Sequence, residues 1–200
     1  MCDYRQLNAN TIPDNYPLPR IDDIIADCAK GHIWGTIDMT DSFFQTRIHP
    51  DDIHKTAVSM PLGAYEWTVM PMGFRNAPAT QQRHVTNVLS AHIGKICHVY
   101  MDDIITWSNN LEEHESNICT IMDTLDKACL YVNKKKTNLF SYEIFFLGHI
   151  ISHRGVEADL AKVSRILEWP WPRNVKQVQQ FLGLMQRLSA LTGCTDRHSV

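Results

Sequence analysis

The segment that decides the fold reads Ile96-Cys97-His98-Val99, then Tyr100-Met101-Asp102-Asp103, then Ile104-Ile105-Thr106-Trp107. Two short apolar runs, rich in the β-branched and aromatic residues that favour strands, enclose an adjacent pair of aspartates. This pattern predicts two strands joined by a tight turn that carries both carboxylates. Carboxylates held against apolar strands lose hydration, which destabilises them unless a partner compensates. Because few lysines or arginines flank the pair, a divalent cation is the expected partner.

Adjacent aspartates alone decide nothing, since this chain contains two further pairs. Asp22-Asp23 stands near the start of a predicted helix, where acidic side chains interact favourably with the helix dipole. Asp51-Asp52 follows Pro50 in a predicted turn, where solvated acids are common. Only Asp102-Asp103 lies between two apolar runs, and that setting marks it as the candidate functional pair.

Asp38 is the candidate third member of the acidic cluster. It follows Thr36-Ile37, a short predicted strand, and therefore stands at a strand end. Phosphoryl transfer by two metal ions requires carboxylates that hold the ions roughly 3.5–4 Å apart. Magnesium suits such hard oxygen ligands. The residues alone leave a second interpretation open, in which a tight turn simply exposes solvated acids.

The rest of the chain mixes helices and strands without a regular strand–helix alternation. Because of Pro13, Pro17 and Pro19, we expect the opening stretch to be extended and irregular up to about Arg20. Hydrophobic spacing predicts helices over residues 21–28, 79–89, 112–130, 161–168 and 175–188. It also predicts a hairpin of strands 55–60 and 65–70, and a last strand or hairpin over 145–151. These elements together predict an α+β fold.

Composition bounds the class of protein. The 200 residues, 44% of them hydrophobic, suffice for one sizeable core or one core plus part of a second lobe. No run approaches the roughly 18 apolar residues of a membrane span, so we expect no membrane association and an intracellular location, in a cytoplasmic particle or the nucleus. The net charge of −3 argues against a large, evenly basic surface for nucleic acid. It leaves a polymerase possible, whose active site is itself acidic.

The cysteines and histidines suggest no strong metal or disulfide framework. The six cysteines are scattered without a Cys-x-x-Cys pair, so free buried thiols are expected. His149 and His153 have half of a zinc-finger spacing, with no cysteine pair before them. A zinc-dependent or protein-interaction module is therefore the weaker rival to an enzyme.

Ordered motifs along the chain resemble those of reverse transcriptases from gypsy-class long-terminal-repeat retrotransposons. Tyr100-Met101-Asp102-Asp103 resembles the signature turn of that family. The other similar stretches are residues 3–8 and 16–19 before the palm, 36–43 around the first aspartate, 69–80 at the nucleotide pocket, 146–149 at the primer-gripping hairpin, and 169–170 and 181–184 beyond it. The resemblance extends in order to about Leu184.

The resemblance implies the architecture of a right-hand polymerase. Residues 1–152 would form the fingers and palm, with an antiparallel sheet backed by helices. The family has a longer stretch upstream that carries basic residues gripping the triphosphate, so the resemblance implies fingers that are truncated at the N-terminus. Residues 153–200 would begin a thumb or connection segment.

The resemblance also implies an activity, RNA-directed DNA polymerisation. Asp38, Asp102 and Asp103 would be the catalytic residues and would ligate two magnesium ions, with manganese as a substitute. The partners would be an RNA or DNA template with its primer, deoxynucleoside triphosphates, and the ribonuclease H and integrase portions of a Pol polyprotein. The alternative is a transposon-derived remnant that keeps the palm fold, lacks catalysis and at most binds nucleic acid.

Five residues match the nucleotide-binding positions of the family: Asp41, Phe43, Met72, Gly73 and Lys136. Phe43 would lie beneath the incoming sugar and exclude a 2′-hydroxyl; without the motif it would be taken for a core phenylalanine. Met72 stands where the family more often has Phe or Gln. Lys136 would assist the departing pyrophosphate, or else belongs to a solvated basic loop.

Leu147, Gly148 and His149 match the positions that place the primer 3′ end in this family. For His149 a purely structural role is an equally good interpretation.

Overall fold

The computed structural model describes residues 2–158, 171–179 and 181–182. The chain divides into two compact units, Met1–Ser141 and Tyr142–Val200. The assignment of residues 153–200 to a thumb or connection segment stays a prediction.

A four-stranded antiparallel sheet organises the first unit. Its strands are β1 (Ile33–Asp38), β4 (Cys97–Tyr100), β5 (Asp103–Ser108) and β6 (Asn138–Ser141), in the spatial order β4-β5-β1-β6. The predicted strand pair around the acidic tetrad is therefore a β-hairpin. Since β1 pairs with β5, Asp38 lies directly opposite Asp103. The register brings together the strand end and the turn that the sequence predicted to be acidic.

Helices complete this unit: α1 (Arg5–Asn10), α2 (Ile21–Cys28), α3 (Ala77–Val88) and α4 (Leu111–Lys127). The last three lie close to the predicted bounds. One hydrophobic cluster joins α3 and α4 to the sheet, and its buried members are Ile37, Met39, Val85, Leu89, Cys97, Val99, Ile104, Ile121, Leu125 and Leu130. The predicted α+β class is confirmed. No helix within the described ranges is long and apolar enough to cross a membrane.

The prediction of an irregular opening stretch is wrong for residues 5–10, which form α1. The prolines that favoured an extended chain begin only at Pro13, so they leave this segment free to be helical. Tertiary contacts fix the segment at both ends. Tyr4 is buried edge-to-face against Phe74 at a centroid distance of 4.7 Å, and Asn8 bonds to the backbone of Gly73.

The predicted hairpin is present but shorter than expected, with β2 at Val58–Met60 and β3 at Gly63–Tyr65. Of residues 66–70, which the spacing assigns to the second strand, residues 68–70 pair elsewhere. Arg47 and Val69 form an isolated antiparallel bridge, flanked by a bond from the Met70 amide to the Thr46 carbonyl. Sequence spacing could not show that this apolar run pairs with a segment about twenty residues upstream.

Among its described residues, the second unit contains three antiparallel strands, β7 (Glu143–Phe146), β8 (His149–Ser152) and β9 (Gly155–Ala158). The predicted strand or hairpin over residues 145–151 is thus a hairpin. The helix predicted over residues 161–168 lies outside the described residues. Of the helix predicted over 175–188, the described residues 175–179 and 181–182 are helical.

His114 on α4 makes the stability of the fold depend on pH. Its ring is fully buried, with Nε2 at 2.8 Å from the Leu139 carbonyl and Nδ1 at 3.0 Å from the Ser108 hydroxyl. A carbonyl only accepts, so Nε2 carries the proton of a neutral ring and Nδ1 accepts from Ser108. Burial lowers the pKa of His114, although the Leu139 bond and Glu113 oppose this.

A second proton, added at Nδ1, binds less tightly in the folded state than in the unfolded state. The contribution of His114 to stability is therefore complete above the unfolded pKa of about 6.5 and is lost as the pH falls below it. The free energy of unfolding should change little between about pH 7.5 and 6.5, and below about pH 6.5 it should fall by up to about 1.4 kcal/mol per pH unit. Denaturant unfolding of wild type and His114→Gln at several pH values measures the difference. The exposed His153 gives a control variant, His153→Gln. Identical pH profiles for wild type and His114→Gln would contradict the assignment.

Candidate active site

The turn between β4 and β5 carries the acidic tetrad. Tyr100 and Asp103 pair across the hairpin, so Met101 and Asp102 form a two-residue turn. Met101 has a φ of +54°, in the left-handed region that such turns use. This conformation costs a residue with a side chain about 1–2 kcal/mol, so contacts outside the turn must help to hold it.

Gln82 of α3 supplies that contact. Its Oε1 accepts the Met101 amide proton at 2.6 Å, and its Nε2 donates to the Val99 carbonyl at 3.1 Å and to the Thr86 hydroxyl at 3.1 Å. The side chain is only 1% exposed. A buried amide that is satisfied at both ends has little freedom to move. Gln82 therefore fixes the turn to α3.

The three predicted carboxylates form one electrostatic cluster. Asp38 ends β1 and faces Asp103 in register, while the Met39 amide donates to the Asp102 carbonyl at 3.3 Å. Local desolvation, followed by the charges of Asp38 and Asp102, raises the pKa of Asp103, and Lys136 opposes this rise. Asp103 remains exposed to solvent and Asp102 is half-buried. The pair is thus less buried than its apolar neighbours predicted.

Two side chains make polar contacts with carboxylates of this cluster. The hydroxyl of the buried Ser42 donates to Asp102 Oδ1 at 2.6 Å. The ammonium of Lys136 lies 3.6 Å from Asp38 Oδ2. Neither contact saturates a carboxylate, which has about four lone-pair sites for partners.

The chemistry of the donor set fits divalent cations, since all three side chains offer hard anionic oxygens and Lys136 compensates their mutual repulsion at Asp103 only in part. The side chains are not arranged as a finished site. Among the described residues, no three His, Cys, Asp or Glu side chains converge as the ligands of one ion. Asp38 and Asp102 would have to turn from Lys136 and Ser42 to share an ion with Asp103.

The segment after Asp38 presents two of the predicted nucleotide-binding residues. Asp41 is exposed with a φ of +42° and precedes a 3₁₀ helix, Ser42–Gln45, that contains the half-buried Phe43. The next ring, Phe44, stacks on Trp67 with centroids 5.6 Å apart. Adjacent residues of a 3₁₀ helix point about 120° apart, so the Phe43 and Phe44 rings face different surroundings.

The loop before α3 holds the other predicted pocket residues. Met72 is 54% exposed, and Gly73 has a φ of +99° that disfavours a side chain. Asn8 of α1 fixes this loop, because its Nδ2 donates to the Gly73 carbonyl and its Oδ1 accepts from the Arg75 amide, both at 2.8 Å. The Met72 side chain is exposed and Asn8 holds the Gly73 backbone, so the surface of this loop is accessible to a ligand.

Comparison with known proteins identifies the family. Residues 1–151 match the family model described as "Reverse transcriptase (RNA-dependent DNA polymerase)". The chain belongs to this family. The predicted likeness to gypsy-class elements is also confirmed, since 182 residues, 91% of the chain, are 41% identical to a retrovirus-related Pol polyprotein from transposon opus of Drosophila melanogaster. The corresponding polyprotein from transposon gypsy is 40% identical over the same share of the chain.

More distant relatives agree with this assignment. The transposon Tf2-3 polyprotein of Schizosaccharomyces pombe is 32% identical over 188 residues, 93% of the chain. This reverse transcriptase chain spans only 18% of the opus and gypsy polyproteins and 14% of the Tf2-3 polyprotein.

Solved structures support the predicted polymerase fold. The foamy viral protease-reverse transcriptase in complex with double-stranded DNA superposes with a TM-score of 0.83 and 28% identity, covering 92% of this chain and 32% of that one. The structure of the same viral enzyme with an RNA/DNA hybrid gives a TM-score of 0.77, covering 92% of this chain and 25% of that one. The predicted right-hand palm with helices behind an antiparallel sheet is thereby confirmed.

The predicted primer-binding residues of this reverse transcriptase lie in the second unit. Leu147 and Gly148 form the turn between β7 and β8 with φ values of +49° and +86°, and His149 begins β8 as a buried residue. Glycine suits position 148 because a φ of +86° disfavours a residue with a side chain. The role of these three residues at a primer end stays a prediction.

Sequence reasoning missed the polar residues that support the site, namely Ser42, Gln82 and Asn8. Each acts through a contact with a residue far away in the sequence, and Ser42 and Asp102 are 60 positions apart. One signal was available in α3, where Gln81 and Gln82 follow each other on the buried side of a helix. Buried amides require partners, and consecutive ones point in different directions.

Proposed function

We propose that this chain is the catalytic core of an RNA-directed DNA polymerase that adds deoxynucleotides to a primer 3′ end. The observation that carries the proposal is the cluster of Asp38, Asp102 and Asp103 in a member of the reverse transcriptase family. In such a reaction, the primer 3′-hydroxyl attacks the α-phosphate of a deoxynucleoside triphosphate and pyrophosphate leaves.

The three aspartates would hold two magnesium ions, or manganese in their place. When bound, such ions lower the pKa of the attacking hydroxyl and stabilise charge on the phosphates. The protein's own contribution is the placement of three negative groups at one end of the sheet. Gln82 supports this placement by holding the turn.

Around the carboxylates we assign the incoming nucleotide to Asp41, Phe43, Met72, Gly73 and Lys136. Phe43 would stack beneath the sugar and exclude a 2′-hydroxyl. Lys136, whose ammonium faces Asp38, would neutralise the triphosphate and protonate the departing pyrophosphate, as a well-placed lysine can.

The nucleic-acid partner would be a primer paired with an RNA or DNA template. The foamy viral relative is described with both double-stranded DNA and an RNA/DNA hybrid, and the same classes of duplex are proposed for this chain. Leu147, Gly148 and His149 would contact the primer end. Because the relatives are Pol polyproteins, ribonuclease H and integrase portions are the proposed partners within a longer product.

Primer extension tests the proposal directly. The purified chain, supplied with magnesium, deoxynucleoside triphosphates and a labelled primer on an RNA template, should lengthen the primer, and chelation of the metal should stop it. Fluorescence anisotropy of the same labelled duplex measures binding separately. Absence of extension, whether or not the duplex binds, would overturn catalysis and favour the inactive remnant, which at most binds nucleic acid.

A further inference from the structure

Gln45, at the end of the 3₁₀ helix that contains Phe43, bonds to two separate backbone segments. Its Oε1 accepts the Tyr131 amide proton at 2.7 Å, and its Nε2 donates to the Tyr131 carbonyl at 2.9 Å. The same Nε2 donates to the Thr40 carbonyl. A single side chain thus ties the segment after Asp38 to the segment after α4.

The two bonds with Tyr131 have the form of a rung in an antiparallel ladder. In such a rung two residues exchange both an N–H and a C=O, and here the side-chain amide of Gln45 takes the place of one peptide. The neighbouring rungs are made by backbone alone, since Met39 and Val132 form an isolated antiparallel bridge and the Thr40 amide donates to the Tyr131 carbonyl at 3.0 Å. Gln45 therefore lengthens a very short pairing.

That pairing holds the start of the loop of residues 131–137 against the segment after Asp38. The Tyr131 ring is 66% exposed, so it contributes little apolar burial to anchor the loop. Val132 packs partly against the hydrophobic core, and hydrogen bonds hold the rest of the loop. The Asn133 amide donates to the Asp38 carbonyl at 2.8 Å, and the Thr137 hydroxyl accepts from the Asp38 amide at 3.3 Å.

Lys136 is in this loop. Its amide donates to the Asn133 carbonyl at 3.1 Å, its side chain is 67% exposed, and its ammonium lies 3.6 Å from Asp38 Oδ2. An exposed lysine side chain retains several rotamers in water, so the position of its backbone decides which phosphate oxygens it can reach. A contact that fixes the loop therefore also limits the positions that the Lys136 ammonium can reach.

We propose that Gln45 is a positioning residue that holds the 131–137 loop against the Asp38 segment and thereby places Lys136 at the triphosphate. This inference rests on the proposed polymerase function. Gln45 contacts neither substrate nor metal in this role, and it acts through Tyr131 and the loop. The contact also links the segment of Phe43 to the segment of Lys136, the two sides of the proposed nucleotide site.

Hydrogen exchange tests the positioning without any activity. In Gln45→Ala the Tyr131 amide loses its acceptor, so its exchange should accelerate about tenfold, as expected for the loss of one hydrogen bond in a locally opening segment. Gln45→Glu keeps an acceptor for this amide but replaces the Nε2 donor with a carboxylate oxygen that faces the Tyr131 and Thr40 carbonyls, so the protection should fall between those of wild type and Gln45→Ala. Amides of β5 report global stability and should exchange at the same rate in all three proteins. Unchanged protection of Tyr131 in Gln45→Ala would overturn the inference.

A double-mutant cycle tests the functional part. Gln45→Ala and Lys136→Ala should each lower kcat for single-nucleotide incorporation by roughly tenfold to a hundredfold, the range for a misplaced or missing acid. If Gln45 acts through Lys136, the double variant should be no slower than Lys136→Ala alone. Fully multiplicative losses would overturn the coupling, as would full activity of Lys136→Ala. A wild-type chain that extends no primer would instead refute the proposed function, and the exchange experiment would still decide the positioning.

Discussion

Asp102→Asn should abolish primer extension, lowering the rate by about 10³-fold or more, because a carboxylate bound to a catalytic metal contributes several kcal/mol in the transition state. Asparagine has nearly the same shape as aspartate, and its carbonyl oxygen can still accept the Ser42 hydroxyl proton now received by Asp102 Oδ1. The substitution therefore removes charge while leaving the turn and its support by Gln82 intact. Extension assays on an RNA template with magnesium, with wild type measured in parallel, give the ratio.

The same variant should fold at least as stably as wild type when no metal is added. The charge of Asp102 is one of the causes that raise the pKa of Asp103, so its removal relieves repulsion within the cluster. A thermal melt without added metal should show an equal or higher midpoint for Asp102→Asn. Loss of activity together with unchanged stability distinguishes a metal ligand from a folding defect.

Asp51→Asn provides the matched control, since Asp51 belongs to another adjacent pair and its side chain is 88% exposed. It should extend primers at the wild-type rate. Equal extension by Asp102→Asn and wild type would remove Asp102 from the metal site. Equal losses in Asp102→Asn and Asp51→Asn would point to a general effect of charge on nucleic-acid binding.

The carboxylate cluster was predictable because its members stand at ends of apolar strands, and the pairing of those strands follows from local patterns. An apolar run that ends in Asp38 and a hairpin around Asp102 need only antiparallel pairing to meet. The resemblance named Lys136 among three adjacent lysines, although the pattern of residues alone gave no physical reason for that choice. The position of this lysine depends on a loop held by Gln45 and Asn133, and the structure places the Lys136 ammonium beside Asp38.

Local patterns were insufficient where tertiary contacts decide the conformation. The segment Arg5–Asn10 contains no strong helical periodicity, yet it is helical between a buried Tyr4 and an Asn8 that bonds to a distant loop. Residues 66–70 alternate like a strand, and the partner of residues 68–70 is the segment around Arg47 rather than the neighbouring β2. In both cases, long-range partners determine the structure, and a single sequence does not reveal them.

Phe43→Ala should lower the preference for deoxynucleotides over ribonucleotides by roughly 10- to 100-fold, the range over which steric pockets discriminate small groups. The proposed cause is a clash between the Phe43 ring and a 2′-hydroxyl, which alanine would remove. Phe43 is half-buried within the 3₁₀ helix that follows Asp41, close in the chain to the Asp38 carboxylate. Single-nucleotide incorporation of dCTP and CTP opposite the same template base measures the ratio of kcat/KM values.

Phe44→Ala is the matched control, because it removes the same ring from the adjacent position. The Phe44 ring stacks on Trp67 nearly parallel, with an interplanar angle of 7°, so its loss should lower the melting temperature and leave sugar selectivity unchanged. A selective loss of discrimination in Phe43→Ala would then reflect the proximity of that ring to the sugar rather than a loosened helix. Unchanged selectivity in Phe43→Ala would exclude Phe43 from this role, and equal losses in both variants would assign the effect to the stability of the Ser42–Gln45 segment.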